Sequence, residues 1–310
     1  MITAILLAAT PVAANCEQER EAISNMADAI EERYVLEKTA HKSATDLREE
    51  NRRGVFDRHC DDPAAFAEYM TEYLRTEMKD GHLYVEYAPN SHEHGDDDWM
   101  EKWRGEAASR NHGVKAVKRF KNNIAYLHIS DFYEYDPAKK ALTAAFELVS
   151  SSDALILDLR GNPGGTPETE WPVQWTFMNA GSITPLRKEK RSGAEPDMPE
   201  PLLDWPRYGT KRPMVILVDK TTFSAPEAVA YSLQAQGRAI VMGSPSGGGA
   251  HMLGEGIALS GGWKINVPET RPYSPHTGGN WEGTGVIPNV ETSKEDAIAT
   301  AQKWLADRLS

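Results

Sequence analysis

The chain has 310 residues, of which 40% are hydrophobic and 26% charged, and its mean hydropathy is −0.54. This composition is typical of a globular protein, the length suits about two domains, and no apolar run reaches the roughly 18 residues of a membrane span. The 46 acidic residues outnumber the 34 basic ones and give a net charge of −12, which argues against binding to a nucleic-acid backbone.

The first segment, residues 1–15, is predicted to be a probable signal segment. It is apolar from Ile5 to Ala9 and carries small residues at Ala13 and Ala14, which is the pattern of a secretory signal with its cleavage region. We therefore expect an exported protein, periplasmic or extracellular. The positive charge that usually begins such a signal is missing, so a short apolar helix packed on the body remains the alternative.

Helical spacing of apolar residues predicts a small N-terminal helical domain over residues 16–85. Two stretches carry this pattern: Ile23, Met26, Ile30 and Tyr34, and then Phe66, Met70, Tyr73, Leu74 and Met78. Residues 40–52 can form a polar helix between them. Asp62 followed by Pro63 predicts the N-terminus of the last helix, because aspartate caps helices and proline suits their first turn.

The two cysteines, Cys16 and Cys60, are too few for a four-thiolate metal site or a disulfide framework. Cys16 lies at the start of the first helical stretch and Cys60 just before the third. If the three helices run up, down and up, both cysteines lie at the same end of the bundle and can form a disulfide. Two unpaired thiols are the alternative that the sequence leaves open.

Residues 86–113 are predicted to be a linker or loop. The segment contains His92, His94 and the run Asp96–Asp98, but this spacing fits no well-specified metal-ligand pattern. A solvated acidic loop is the preferred interpretation, and we expect no metal here.

Strands alternate with helices over residues 114–310. The predicted strands are 123–129, 153–159, 214–219 and 239–243, the predicted helices are 137–150, 224–236 and 293–308, residues 180–210 look irregular, and residues 251–267 look like a hairpin region broken by glycines. This alternation predicts an α/β domain with a mostly parallel sheet.

A glycine-rich loop follows the second of these strands, which ends at Asp158. Gly161, Gly164 and Gly165 allow unusual backbone angles there, and N–H groups exposed in such a loop can hold an anion or an oxyanion. The loop lacks the Lys-Ser/Thr ending of a phosphate-binding loop, so nucleotide binding is not predicted. An ordinary tight turn remains the alternative.

Ser224 occupies the point where the next strand gives way to a helix. Ser224 and Glu227 have the spacing of a capping box, and Pro226 suits the first helical turn. A nucleophilic serine occupies the same kind of position, because a helix N-terminus stabilises nearby negative charge. The position of Ser224 does not by itself distinguish a cap from a nucleophile.

Four motifs in order carry a family resemblance: DLRGNPGG at 158–165, TTFSAPE at 221–227, GSPSGGGAH at 243–251 and GGNWEGTGVIPNVE at 278–291. Together they resemble the tail-specific (C-terminal processing) serine peptidase superfamily. The segment DGHLYV at 80–85 is similar to the branch that includes interphotoreceptor retinoid-binding protein, which has a helical N-terminal domain and no PDZ module. The resemblance implies a ClpP/crotonase-like α/β core preceded by that helical domain.

The resemblance also implies catalytic residues, with Ser224 as the nucleophile. The lysine base of the tail-specific branch would fall at or near Gly249, and no lysine lies between Ser224 and Lys264. The Ser–His–Glu arrangement of the tricorn-like branch fits better. It makes His82 the base and Glu282 the carboxylate behind the histidine.

The remaining site residues are implied in the same way. The oxyanion hole would be formed by the backbone N–H groups of Ala225 and of Gly164 or Gly165. The tricorn-like pattern has a serine where this chain has Gly81, so that hydroxyl is missing. His251 is the competing candidate for the base.

We therefore expect a serine peptidase that cleaves a peptide or protein substrate through an acyl-enzyme, with no metal or organic cofactor. A non-catalytic binding protein for a retinoid-like or lipid-like ligand is one alternative, and an esterase-like hydrolase using the same residues is another. The sequence specifies neither the cleavage specificity nor the oligomeric state.

Overall fold

The computed structural model describes residues 16–89 and 97–310. The predicted signal segment and the side chains of His92, His94 and Asp96 lie outside the described residues. The helices are α1 (Glu17–Arg33), α2 (Glu37–Arg52), α3 (Pro63–Met78), α4 (Asp97–Ala107), α5 (Tyr135–Ser150), α6 (Pro167–Thr176), α7 (Ala225–Ala235) and α8 (Ala297–Leu309). The strands are β1 (Tyr84–Tyr87), β2 (Val114–Arg119), β3 (Ile124–Ile129), β4 (Ala154–Asp158), β5 (Arg187–Lys190), β6 (Gly193–Ala194), β7 (Met214–Val218), β8 (Ile240–Gly243), β9 (Met252–Leu253), β10 (Ile257–Ala258), β11 (Trp263–Asn266), β12 (Pro268–Tyr273) and β13 (Val290–Glu291).

A central sheet with the strand order β13-β8-β7-β4-β3-β2 organises the chain. Its neighbouring strands are parallel except for β2, which runs antiparallel to β3. Leu155 and Leu157 of β4 pack into the core under α5, α6 and α7, whereas Ala154 and Ile156 face the core covered by α8. Because both faces are covered, the strand is apolar throughout. The predicted α/β fold with a mostly parallel sheet is confirmed.

The prediction of a loop over residues 86–113 was wrong for residues 97–107, which form α4. The Trp103 ring stacks on Tyr133 with the ring centroids 4.5 Å apart, and Ala107 is buried in the main core. Arg104 also forms an ion pair with Glu134 at 2.8 Å. These contacts with distant residues stabilise a helix that the charge-rich sequence did not indicate.

Two further strand predictions need correction. The segment 180–210, predicted as irregular, contains β5 and β6, and β5 pairs antiparallel with β12. The strand β2 was not predicted at all. Both β2 and β5 are short and rich in Lys and Arg, so backbone pairing rather than an apolar pattern determines them.

The predicted hairpin region divides between two small sheets, and one of them belongs with the N-terminal helices. β11 pairs antiparallel with both β1 and β10, and Trp263 and Ile265 of β11 share a buried core with α1 to α3. The Trp263 ring lies edge-on to Phe66, with the centroids 5.2 Å apart. The helical part therefore completes its core with residues from late in the chain.

The N-terminal helices follow the sequence pattern closely. Asp62 caps α3 and accepts hydrogen bonds from the N–H groups of Ala64 at 3.0 Å and Ala65 at 3.2 Å. Cys16 and Cys60 form a disulfide with their Cα atoms 5.4 Å apart, so the pairing that the bundle geometry allowed is confirmed. Within the two described ranges, no helix combines the length and apolarity required to cross a lipid bilayer.

Reduction of this disulfide is expected to destabilise the helical part. The cysteines are 44 residues apart, and a cross-link closing such a loop restricts the unfolded chain by up to about 4 kcal/mol. Urea unfolding of the oxidised protein and of the Cys16→Ser/Cys60→Ser variant measures the difference. Thiol counting on protein unfolded without reductant is the control, and two free thiols per chain would contradict the disulfide.

Candidate active site

The candidate site lies at the carboxyl ends of β4 and β7, where the parallel sheet presents two loops side by side. The two loops are hydrogen-bonded to each other: Phe223 N–H donates to Asn162 O at 3.0 Å, and Thr222 Oγ1 donates to Leu159 O at 3.0 Å. In α/β sheets, this edge is where ligands commonly bind.

Ser224 stands at the N-terminus of α7 with a φ of 66°. Such a backbone conformation is uncommon for a residue with a side chain and costs on the order of 1–3 kcal/mol. The Glu227 half of the capping box predicted from Ser224 and Glu227 is formed, because the Ser224 N–H donates to Glu227 Oε2 at 2.7 Å. The turn therefore holds the serine in a strained orientation at a helix start.

The carboxylate of Glu227 also holds the loop that follows β8. Its Oε1 accepts from Ser246 Oγ at 2.5 Å and from the Gly248 N–H at 2.7 Å, and its Oε2 accepts from the Gly249 N–H at 2.9 Å. Burial raises the pKa of Glu227, and these hydrogen bonds oppose that rise. The sequence indicated Glu227 only as a cap and gave no signal for this second role.

His82 Nε2 lies 3.1 Å from Ser224 Oγ. The histidine lies in a turn that follows α3, and its N–H donates to Asp80 Oδ1 at 3.0 Å. Aspartate side chains often accept such a bond from the backbone N–H two residues further along a turn. Burial lowers the pKa of His82 to about 4. At neutral pH the imidazole is therefore uncharged and able to accept a proton from the serine.

Glu282 does not form the predicted hydrogen bond with His82. Its Oε2 accepts instead from the N–H groups of Ala250 and His251, both at 2.7 Å. Within the part of the chain that the structure describes, His82 Nδ1 and Glu282 Oε1 are both buried without a hydrogen-bond partner. Burial, reinforced by the nearby Asp80, raises the pKa of Glu282 to about 7.

His251 lies in a buried polar cluster beside the site rather than against the serine. Its Nδ1 is 2.8 Å from Asp80 Oδ2 and 3.6 Å from Glu282 Oε2, and the Tyr34 hydroxyl donates to Asp80 Oδ2 at 3.0 Å. The ligand-type atoms of Asp80, His251 and Glu282 lie within 4.8 Å of one another. Hydrogen bonds within the protein already occupy Asp80 Oδ2, His251 Nδ1 and Glu282 Oε2, and sequence reasoning missed Asp80 and Tyr34.

The glycine-rich loop brings its backbone close to Ser224. The Gly164 N–H donates to Asn162 Oδ1 at 2.9 Å, so this candidate oxyanion donor is already occupied. The Phe132 N–H donates to Gly164 O, and the Thr166 N–H donates to Phe132 O. Neither of these two backbone hydrogen bonds uses the Gly165 N–H. A Cβ on Gly165 would lie 1.9 Å from Phe132 O, so only glycine fits at this position.

A largely apolar pocket opens next to Ser224 and encloses about 550 Å³ together with its mouth. Its lining includes Ala225, Ala228, Trp171, Met198 and Trp281. A shallow groove continues from it along Trp171 and Met198 to Leu202, which is 94% exposed. Ser224 therefore lines a pocket that continues into a surface groove.

The sequence model of peptidase family S41 matches residues 123–292, more than half of the chain. The chain belongs to peptidase family S41. This membership confirms the predicted superfamily.

The chain also has a relative that agrees with the assignment. This chain is 31% identical over 196 residues to the carboxy-terminal-processing protease of Bartonella bacilliformis, a match that covers 57% of this chain and 41% of the relative. The chain thus spans about two fifths of the length of that relative.

Solved structures support the fold. A candidate peptidase from Parabacteroides merdae is 18% identical with a TM-score of 0.67, and the match covers 93% of this chain and 97% of that one. The tricorn protease is 15% identical with a TM-score of 0.64, over 94% of this chain and 37% of that one. At such low identity these likenesses concern the fold alone.

Replacing Glu227 with glutamine is expected to weaken both the fold and the site. The amide nitrogen of glutamine cannot accept the N–H bonds that the carboxylate holds, so about 1–3 kcal/mol of stability should be lost. Thermal unfolding and the rate of Ser224 labelling by a fluorophosphonate probe measure the two effects. Glu147→Gln, at an exposed position on α5, is the matched control. Equal stability and labelling in the two variants would contradict the role of Glu227.

Proposed function

We propose that this chain is a serine peptidase that hydrolyses peptide bonds through an acyl-enzyme on Ser224. The observation that carries the proposal is the 3.1 Å distance between Ser224 Oγ and His82 Nε2 in a member of peptidase family S41. A serine hydroxyl becomes an effective nucleophile only when a nearby base takes its proton, and a neutral imidazole performs this task well.

In the proposed reaction, Ser224 Oγ attacks the carbonyl carbon of the substrate while its proton passes to His82 Nε2. The resulting oxyanion is stabilised by the N–H groups of Ala225 and Gly165. His82 then gives the proton to the leaving amine as the C–N bond breaks. Water, deprotonated by His82, attacks the acyl-enzyme and releases the second product together with the free serine.

We assign to Glu282 the role of the carboxylate behind His82. Among the described residues, His82 Nδ1 and Glu282 Oε1 are both buried without a hydrogen-bond partner. A Cβ at Gly249 would lie 2.8 Å from His82 Cε1, and Glu282 holds the N–H of the next residue, Ala250. The two side chains thus flank the same short segment, and catalytic hydrogen bonds are often longer without substrate.

The substrate class that we propose is a peptide or protein entering the pocket and groove as an extended chain. We also propose that the protein is exported. The Cys16–Cys60 disulfide supports this localisation, because disulfides persist in oxidising compartments and are rare in the cytosol.

Covalent labelling tests the assignment of the nucleophile and the base. A fluorophosphonate probe should react at Ser224 and not with Ser224→Ala, and His82→Ala should slow labelling by about a thousandfold because proton transfer is lost. His251→Gln should slow it far less, because His251 contacts Asp80 rather than the serine. Full labelling of Ser224→Ala, or tight binding of an apolar ligand to a protein that never labels, would contradict the proposal.

The pH dependence of labelling tests the role of Glu282. The reaction needs neutral His82, above its pKa of about 4, and ionised Glu282, above its pKa of about 7. The labelling rate should therefore rise as the pH increases through about 7. In Glu282→Gln the plateau should be lower and the rise should move to about pH 4. A rise that stays near pH 7 in this variant would exclude Glu282 as its source.

A further inference from the structure

One wall of the pocket beside Ser224 carries a buried acid that the proposed reaction does not use. Glu170, in the first turn of α6, is only 8% exposed and lines the pocket together with Ser224 and Ala225. Its Oε1 is buried without a hydrogen-bond partner among the described residues. A buried polar group without a partner is costly, and Glu170 lines the pocket, so a ligand there lies next to this carboxyl group.

The position in the pocket is what distinguishes Glu170. Gln174, one helical turn further along, is also buried with both amide atoms unpartnered, but it does not line the pocket. The rest of the lining is mainly aliphatic and aromatic, and Lys188 is the second ionisable side chain that faces Glu170. A substrate side chain in this pocket therefore meets largely apolar walls, one carboxyl group and the Lys188 side chain.

The protonation state of Glu170 indicates which chemical groups fit it. Burial raises the pKa of Glu170 to about 8, although the charge of Lys188 acts in the opposite direction. At neutral pH the carboxyl is therefore mostly protonated, and it both donates and accepts a hydrogen bond. Its natural partner is a group that does the same, a hydroxyl or a primary amide. A cationic side chain would meet the positive charge of Lys188 instead.

We propose, on the basis of the proposed peptidase function, that Glu170 determines specificity by selecting a side chain with an apolar stem and a terminal hydroxyl or primary amide. This side chain belongs to the residue before the cleaved bond. The apolar walls bind the stem, and the Glu170 carboxyl exchanges hydrogen bonds with the tip. A purely apolar side chain of equal length would leave the carboxyl unpaired in a dry pocket.

Peptides that differ only in the residue before the cleaved bond test the selection. Glutamine and methionine have similar length, so the ratio of their kcat/KM values isolates the polar tip. The wild-type protein should prefer glutamine by about tenfold, and Glu170→Met should reverse the preference. Glu170→Gln should keep it, because an amide also donates and accepts, and this variant provides the test if Glu170→Met does not fold. Glu147→Met on the exposed face of α5 is the control and should behave as wild type.

Binding to Ser224→Ala separates this inference from the proposed function. Trp171 and Trp281 line the pocket, so tryptophan fluorescence reports occupancy by the same peptides without cleavage. Tighter binding of the glutamine peptide, lost when Glu170→Met is added, supports the inference even if wild-type protein cleaves neither peptide, and only the peptidase proposal would then fail. Equal binding of the glutamine and methionine peptides, or a preference for lysine, overturns the role of Glu170.

Discussion

The geometry around Ser224 depends on one buried carboxylate, that of Glu227. It accepts the N–H of the strained serine on one side and two N–H groups of the 246–249 loop on the other. Ser246 extends the network, because its hydroxyl donates to Glu227 and accepts from the Val286 N–H at 2.6 Å. A positive φ at a serine persists only where its surroundings determine it strongly. The same carboxylate therefore fixes Ser224 and aligns the loop that passes beside His82.

His82, the proposed base, reaches Ser224 from a different part of the fold. His82 follows α3, and its turn is fixed by Asp80, which in turn binds Tyr34 at the end of α1 and His251 from the core domain. Strand β11 completes the core of the N-terminal helices, so these helices are joined to the α/β part by both packing and polar contacts. The distance between Ser224 and His82 consequently depends on both the helical part and the α/β part, so loss of structure in the helical part is expected to impair the proposed reaction.

Strongly patterned elements could be predicted from the sequence, whereas contact-dependent ones could not. Local residues are enough to predict the apolar strands β4 and β7 and the Asp62 cap. The sequence motifs also paired Ser224 with His82, two residues 142 positions apart that the structure places in contact. Helix α4 and strand β5 depend on partners that no local pattern indicates, such as Tyr133 for Trp103. The hydrogen bonds of Glu282 could not be predicted from the sequence, because they depend on which backbone N–H groups the fold places next to its carboxylate.

Some buried polar atoms at the site have hydrogen-bond partners and others, among the described residues, have none. This difference relates the stability of the protein to its proposed function. Both oxygens of Glu227 are hydrogen-bonded, and this residue supports the frame. In the described parts of the chain, three other atoms are buried without hydrogen-bond partners: His82 Nδ1, Glu282 Oε1 and Glu170 Oε1. Unpartnered atoms also occur far from the site, at Asn51 for example, so they do not identify function by themselves. Those near Ser224 differ because a substrate would change their surroundings: in the proposed reaction, proton transfer charges His82, and a side chain entering the pocket lies next to Glu170. Polar groups left unpaired in the free protein can then gain their hydrogen bonds as the substrate binds and reacts, which favours the reacting complex over the empty site.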